Sequence, residues 1–155
     1  MKKIKLGSRS KLSAQGMVIV IILLAVIGAG LWYLYSNKAA TDREARAFAR
    51  DAIKRITVDH DLKYFSDHLG PQAKLDNPPS QQQFLIQRFT QLGVPAQPIQ
   101  IEENITWESV FFEPKGYFTA HLNYPAQPVM LQLATSHPVS RWQIDNVSFS
   151  AQPTR

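Results

Sequence analysis

The chain has 155 residues, a net charge of +5 and no cysteine, which excludes disulfides, thiolate nucleophiles, cysteine-ligated metals and a lipoprotein anchor. The excess of base is local: Lys2, Lys3, Lys5, Arg9 and Lys11 precede any acidic residue, and the other twelve Lys and Arg are matched by twelve Asp and Glu. A formally neutral remainder is not a nucleic-acid footprint, so no nucleic-acid partner is expected.

Residues 1–16 read as a basic tail on the cytoplasmic side. Residues 17–35 (MVIVIILLAVIGAGLWYLY) are nineteen positions without a charge; as a helix they span about 28 Å, the thickness of a bilayer's hydrocarbon core. Met17 and Tyr35 bound this anchor. Trp32, Tyr33 and Tyr35 cluster at its far end, where amphipathic rings favour the membrane–water boundary. The Lys/Arg asymmetry puts the N-terminus in the cytoplasm and everything past Tyr35 on the other side. A short Lys-rich tail and a single span suggest a bacterial inner membrane, with the C-terminal domain in the periplasm. The apolar run is longer than that of a cleaved signal and ends in bulky aromatics, so the anchor is expected to be retained. Ala25, Gly28 and Ala29 are small residues at helical spacing and permit close approach of a transmembrane partner.

Residues 36–40 read as a linker. Thr41-Asp42-Arg43-Glu44 has the spacing of a capping box. Ala45, Phe48, Ala49, Ala52, Ile53 and Ile56 then follow the i, i+3, i+4, i+7 pattern of an amphipathic helix. Arg43, Arg46, Arg50 and Lys54 share the opposite face. They are candidates for contact with lipid phosphates or an acidic partner, beside ordinary pairing with Asp42, Glu44 and Asp51 on a solvated face. A second helix is expected from about Asp59 to Leu69, stopped by Gly70-Pro71. Three prolines in residues 71–80 (PQAKLDNPPS) predict a loop. Ser80 and Gln83 are spaced to cap a third helix, with Phe84, Leu85, Phe89 and Leu92 as its buried stripe and Gly93 and Pro95 as its end.

From Pro98 the period changes to two. Ile99, Ile101, Ile105 and Trp107 share one parity. Phe118, Ala120, Leu122 and Tyr124 alternate with Tyr117, Thr119, His121 and Asn123, and Val129, Leu131 and Leu133 with Met130, Gln132 and Ala134. Trp142 and Ile144 share one parity and Val147 and Phe149 the other, which predicts a bulge near Asp145-Asn146. The expected fold is α+β: one N-terminal transmembrane helix followed by three helices packed on a four-stranded antiparallel sheet. Residues 41–150 form the outer domain and residues 151–155 a C-terminal tail.

The order of anchor, helices and sheet, ending in Trp142-Gln143-Ile144-Asp145-Asn146-Val147-Ser148-Phe149, resembles the cystatin-like, nuclear-transport-factor-like α+β cone. That superfamily often finishes on a strand of the form Trp-x-Ile-x-x-Val. It includes isomerases, binding modules and single-pass secretion-system scaffolds, so the resemblance implies a fold rather than one activity. Gln15-Gly16-Met17-Val18-Ile19-Val20-Ile21 is also similar to the processing site of type IV prepilins, a basic leader ending in Gly before a hydrophobic helix. Ile21 stands where that family usually has glutamate.

No catalytic signature is present: there is no G-x-S-x-G, Walker loop, H-E-x-x-H or dinucleotide fingerprint. Asp59-His60-Asp61 and Asp67-His68 are of metal-ligating types, but His60 and His68 lie roughly 80° apart around a helix. Charges at helix ends account for them. In an enzyme of the cone type, His121 and Tyr117 would do acid–base work with Tyr64 or Asp67 from a covering helix. Strand alternation instead puts Tyr117, Thr119, His121 and Asn123 on the solvated face. No catalytic residue, metal or cofactor is therefore expected.

The expected function is that of a membrane-anchored periplasmic accessory or scaffold subunit of a cell-envelope complex, acting by protein–protein contacts. Its partners would be other envelope proteins, including a transmembrane one, and the lipid bilayer. The alternatives are a minor pilin-like subunit processed after Gly16, and a small-ligand-binding or isomerase-like cone domain with a lined cavity.

Overall fold

The computed structural model describes residues 14–107, 113–138 and 140–151. The five basic residues of the N-terminal tail and residues 152–155 lie outside the described residues. The chain divides after Asn37 into two compact units.

Helix α1 (Ala14–Thr57) carries the apolar run. The side chains of residues 17–33 are all exposed. Among the described residues this is the one helix long and apolar enough to cross a membrane. Residues 36–40 are helical rather than an irregular linker, and Thr41-Asp42-Arg43-Glu44 lies inside α1 rather than at a helix start. The reason is the absence of any Gly or Pro between Gly30 and Thr57. Extending a formed helix adds one bond for each residue fixed, whereas a new start must be nucleated.

In the second unit, α1 buries Ala45, Ala49, Ala52, Ile53 and Ile56, the stripe its periodicity predicts. His60, at φ 53, breaks the chain direction. Asp61 then caps α2 (Leu62–His68), accepting a hydrogen bond from Tyr64 N at 2.9 Å. This helix starts about three residues later than the sequence suggests.

Residues 71–80 are not a loop. Pro71 opens α3 (Pro71–Asp76) and Pro79 opens α4 (Pro79–Leu92), each in the first turn. A missing N–H is no loss at that position, and the fixed φ suits a helix. The prolines thus start helices where they were read as breaking them. Ser80 sits inside α4 and makes no cap. The buried stripe of α4 is Gln82, Ile86 and Phe89, while Phe84 is exposed. Gly93 ends the helix at φ 87, a conformation that favours glycine.

The sheet matches expectation. Strands β1 (Gln100–Trp107), β2 (Pro114–Asn123), β3 (Pro128–Ser136) and β4 (Gln143–Ala151) lie antiparallel in the order β1-β2-β3-β4. Ala134 pairs with Asn146 but Thr135 pairs with Ile144, so Asp145 is the extra residue of a bulge. The slip returns Val147 to the inner face. Phe118, Ala120, Leu122, Val129, Leu131, Leu133 and Ile144 are buried with Phe65 and Phe89 in one core. Gly116 is required in β2: a Cβ there would stand 2.5 Å from the Phe118 ring and 2.8 Å from Thr135 Oγ1.

Candidate functional site

The basic face of α1 meets an acid from the sheet. Glu103 occupies the inward parity of β1, between Ile101 and Ile105. It receives Arg46 Nε at 2.7 Å and Arg50 Nη2 at 3.0 Å. One turn earlier, Trp107 Nε1 donates to Asp42 Oδ1 at 2.9 Å, and the Lys38 ammonium lies 5.8 Å from the Trp107 ring centre. Arg43 Nε donates to Ala39 O at 3.1 Å, and Lys54 is exposed. Two of the four basic residues are thus held within the fold. An acid on the apolar parity of a strand, opposite a basic helix face, was the available signal for this clamp.

The groups considered for acid–base work stand apart. His121 Nε2 lies 3.3 Å from Glu102 Oε1 on the outer face of β1 and β2. Tyr117 borders a shallow concavity of about 280 Å³ on the same face, shared with Thr119, Gln132, Asn146 and Ser148. Asp67 is exposed on α2, in a depression bordered by Lys63 and Gln83. Tyr64 lies 3.9 Å from the His68 ring centre and 4.7 Å from the Arg55 guanidinium. Burial, then the nearby Asp51 carboxylate, pushes its phenol above the ordinary value and keeps it neutral. His68 Nδ1 is 2.8 Å from Tyr64 O. Among the described residues no three metal-ligating side chains are grouped.

A different surface joins α4 to the last strand. The start of β4 is covered: Leu69 pairs in parallel with Ile144, and Gly70 N donates to Ile144 O at 2.8 Å. Residues 146–151 pair with β3 on one side only. Among the described residues no main-chain bond reaches their other side. This stretch, NVSFSA, has no charge and no proline. Beside it is a groove of about 230 Å³ bordered by Arg88, Gln91, Leu92, Val129, Phe149 and Ala151. Phe149 is 37% exposed although its ring contacts Phe89 at 5.5 Å. Arg88 also borders the outer face of α4, its guanidinium 5.5 Å from the ring of Phe84, which is 57% exposed. Among the described residues no carboxylate lies within ion-pair distance of Arg88.

No family model, curated protein or solved structure matches this chain. The chemistry of its surfaces is therefore the ground for a functional reading.

The sequence-expected anchor residues Met17, Trp32, Tyr33 and Tyr35 are all exposed along α1. Ala25, Gly28 and Ala29 lie exposed on the same helix, and among the described residues a Cβ at Gly28 would meet nothing within 4 Å. The surface around Phe84, Arg88 and Phe149 was missed. Its signal was a competition between Phe84 and Ile86 for one buried stripe, which spacing alone left open.

Proposed function

We propose that this protein is a membrane-anchored accessory or scaffold subunit of a bacterial cell-envelope complex. Its α+β unit lies in the periplasm and acts by protein–protein contacts. The observation that carries the reading is a helical stretch, residues 17–35, without a charge on any side, in a helix whose apolar window has none of its residues buried. Such a helix is satisfied by lipid or by other spans. The uncovered strip of β4 and α4 supplies a surface for partners. Helices on one face of an open four-stranded meander support the resemblance to the cystatin-like cone.

Reporter fusions after Arg155 test the topology. A reporter active only in the periplasm should work and a cytoplasm-only reporter should be silent; the reverse pattern overturns the reading.

The alternative of a minor pilin-like subunit is supported by the Gly16-Met17 junction, after which α1 continues unbroken to Thr57. Intact mass separates the two readings. A membrane form retaining residues 1–16 fits the accessory subunit, and a form starting at Met17 fits the pilin-like one.

A further inference from the structure

The two edges of the sheet are built differently. The β1 edge carries Glu102 and Glu103, and Glu103 points inward into the Arg46–Arg50 clamp. An inward charge and a charged rim are devices that keep a strand edge from recruiting another strand. The β4 edge has neither over residues 146–151. At its start the edge already pairs within its own chain, through the isolated parallel bridge from Leu69 to Ile144. Residues 146–151 are the same edge without that cover.

We propose that residues 146–151 of β4 accept an extended, acidic segment of a partner protein as a fifth strand, with the partner's carboxylate on Arg88. This rests on reading the protein as a subunit that acts through protein contacts. Main-chain hydrogen bonds to the edge supply attachment, and alternate side chains supply specificity. Side chains of the added strand alternate between the two faces of the sheet. Those on the helix side fall over the groove between Phe149 and Leu92. Those on the other side run beside Ser148 and Ser150.

Charge chooses the occupant. Arg88 borders both the groove and the outer face of α4. Helix α4 has no acidic residue, and Asp145, the only acid of β4, is hydrogen-bonded to Gln143 Nε2 at 2.9 Å beyond the open stretch. A second copy added edge to edge about a twofold axis would bring a second Arg88 to the same seam. An acidic segment brings the opposite charge, desolvated on one side by Phe84 and Phe149.

The test uses the full chain in lipid nanodiscs and blocked nine-residue peptides of alternating Val and Thr with Glu, Gln or Lys at the centre. The Glu peptide should slow amide exchange in residues 146–151 by about tenfold and the Lys peptide should not. Arg88→Glu should reverse that preference while leaving thermal unfolding unchanged, since Arg88 is exposed. Absence of protection, or equal protection by all three peptides, overturns the proposal. Protection without peptide that rises with protein concentration assigns the edge to a second copy and also overturns it. A photo-cross-linker at Ser150 in native membranes should give a protein adduct that Arg88→Glu abolishes. Adducts from Thr119 on the open face but not from Ser150 would leave the accessory-subunit reading standing and sink the edge. Adducts from neither position would count against both.

Discussion

Arg46 reaches across from α1 to Glu103 at 2.7 Å, tying the helix that leaves the apolar run to the first strand of the sheet. Glu103 has only 19% of its side chain exposed, whereas Arg46 and Arg50 retain 45% and 65%. Water therefore screens the arginine side, and each pair contributes no more than about 1 kcal/mol. An inward-pointing charge disfavours the pairing of an edge strand with another chain, and Glu103 is such a charge on β1. Glu103→Ile should change the urea midpoint little and should produce concentration-dependent self-association in sedimentation. An unchanged sedimentation profile would show that the clamp does not guard this edge.

Trp142 is buried, with its ring 6.2 Å from Phe48 and 5.1 Å from His137. Trp142→Ala should cost about 3–5 kcal/mol, enough to unfold a domain of marginal stability. Among the described residues its Nε1 has no hydrogen-bond partner, so Trp142→Phe forfeits packing alone and should cost clearly less. His121→Ala, on the outer face, should stay within about 0.5 kcal/mol. Chemical denaturation of the three variants checks the order; a His121 effect as large as that of Trp142 would contradict it.

Gly116→Ala should destabilise by about 1–3 kcal/mol, because its Cβ overlaps the Phe118 ring and rigid β-structure leaves little room to yield. Gly28→Ala, with nothing within 4 Å, should leave the thermal midpoint of the α+β unit unchanged. Equal effects from the two substitutions would refute the packing argument.

Tyr124 donates to Thr57 O at 3.4 Å from a buried position, and burial raises its phenol above the ordinary value of 10.0. A raised folded value stabilises the fold fully below pH 10 and loses that contribution as pH rises through the folded value. Denaturant midpoints should therefore be insensitive to this group at pH 7–9 and fall at alkaline pH, by about 1 kcal/mol between pH 10 and 11 from this residue. Tyr124→Phe should remove that part of the fall; an unaltered alkaline slope would show that Tyr124 ionises freely in the fold.

The strands were legible because alternation writes the buried face directly: Phe118, Ala120 and Leu122 point inward as their parity predicts. Even the bulge at Asp145 could be read, since a phase slip has one simple cause. The helix boundaries were less legible. Pro71 and Pro79 carry the same local chemistry whether a turn ends or a helix begins, and only the packed context decides. Thr41 looks like a cap, yet nothing before it stops α1. The clamp at Glu103 was legible only in part: an acid on the apolar parity of β1 marks Glu103, but its partners lie 53 and more positions away, and pairing across such a span belongs to the fold rather than to any window of sequence. The strip at Phe84, Arg88 and Phe149 shares that origin, drawn from a helix and from the last strand.

The bridge from Leu69 to Ile144 has a consequence for biosynthesis. Ile144 is fully buried, and its carbonyl holds Gly70, the residue before α3. A chain leaves the ribosome from its N-terminal end, at about 5–20 residues per second. The junction between α2 and α3 therefore emerges several seconds before the strand that secures it. Until residue 144 arrives, Leu69 and Gly70 lack the strand they pair with. For that interval the nascent domain presents apolar surface to whatever receives it.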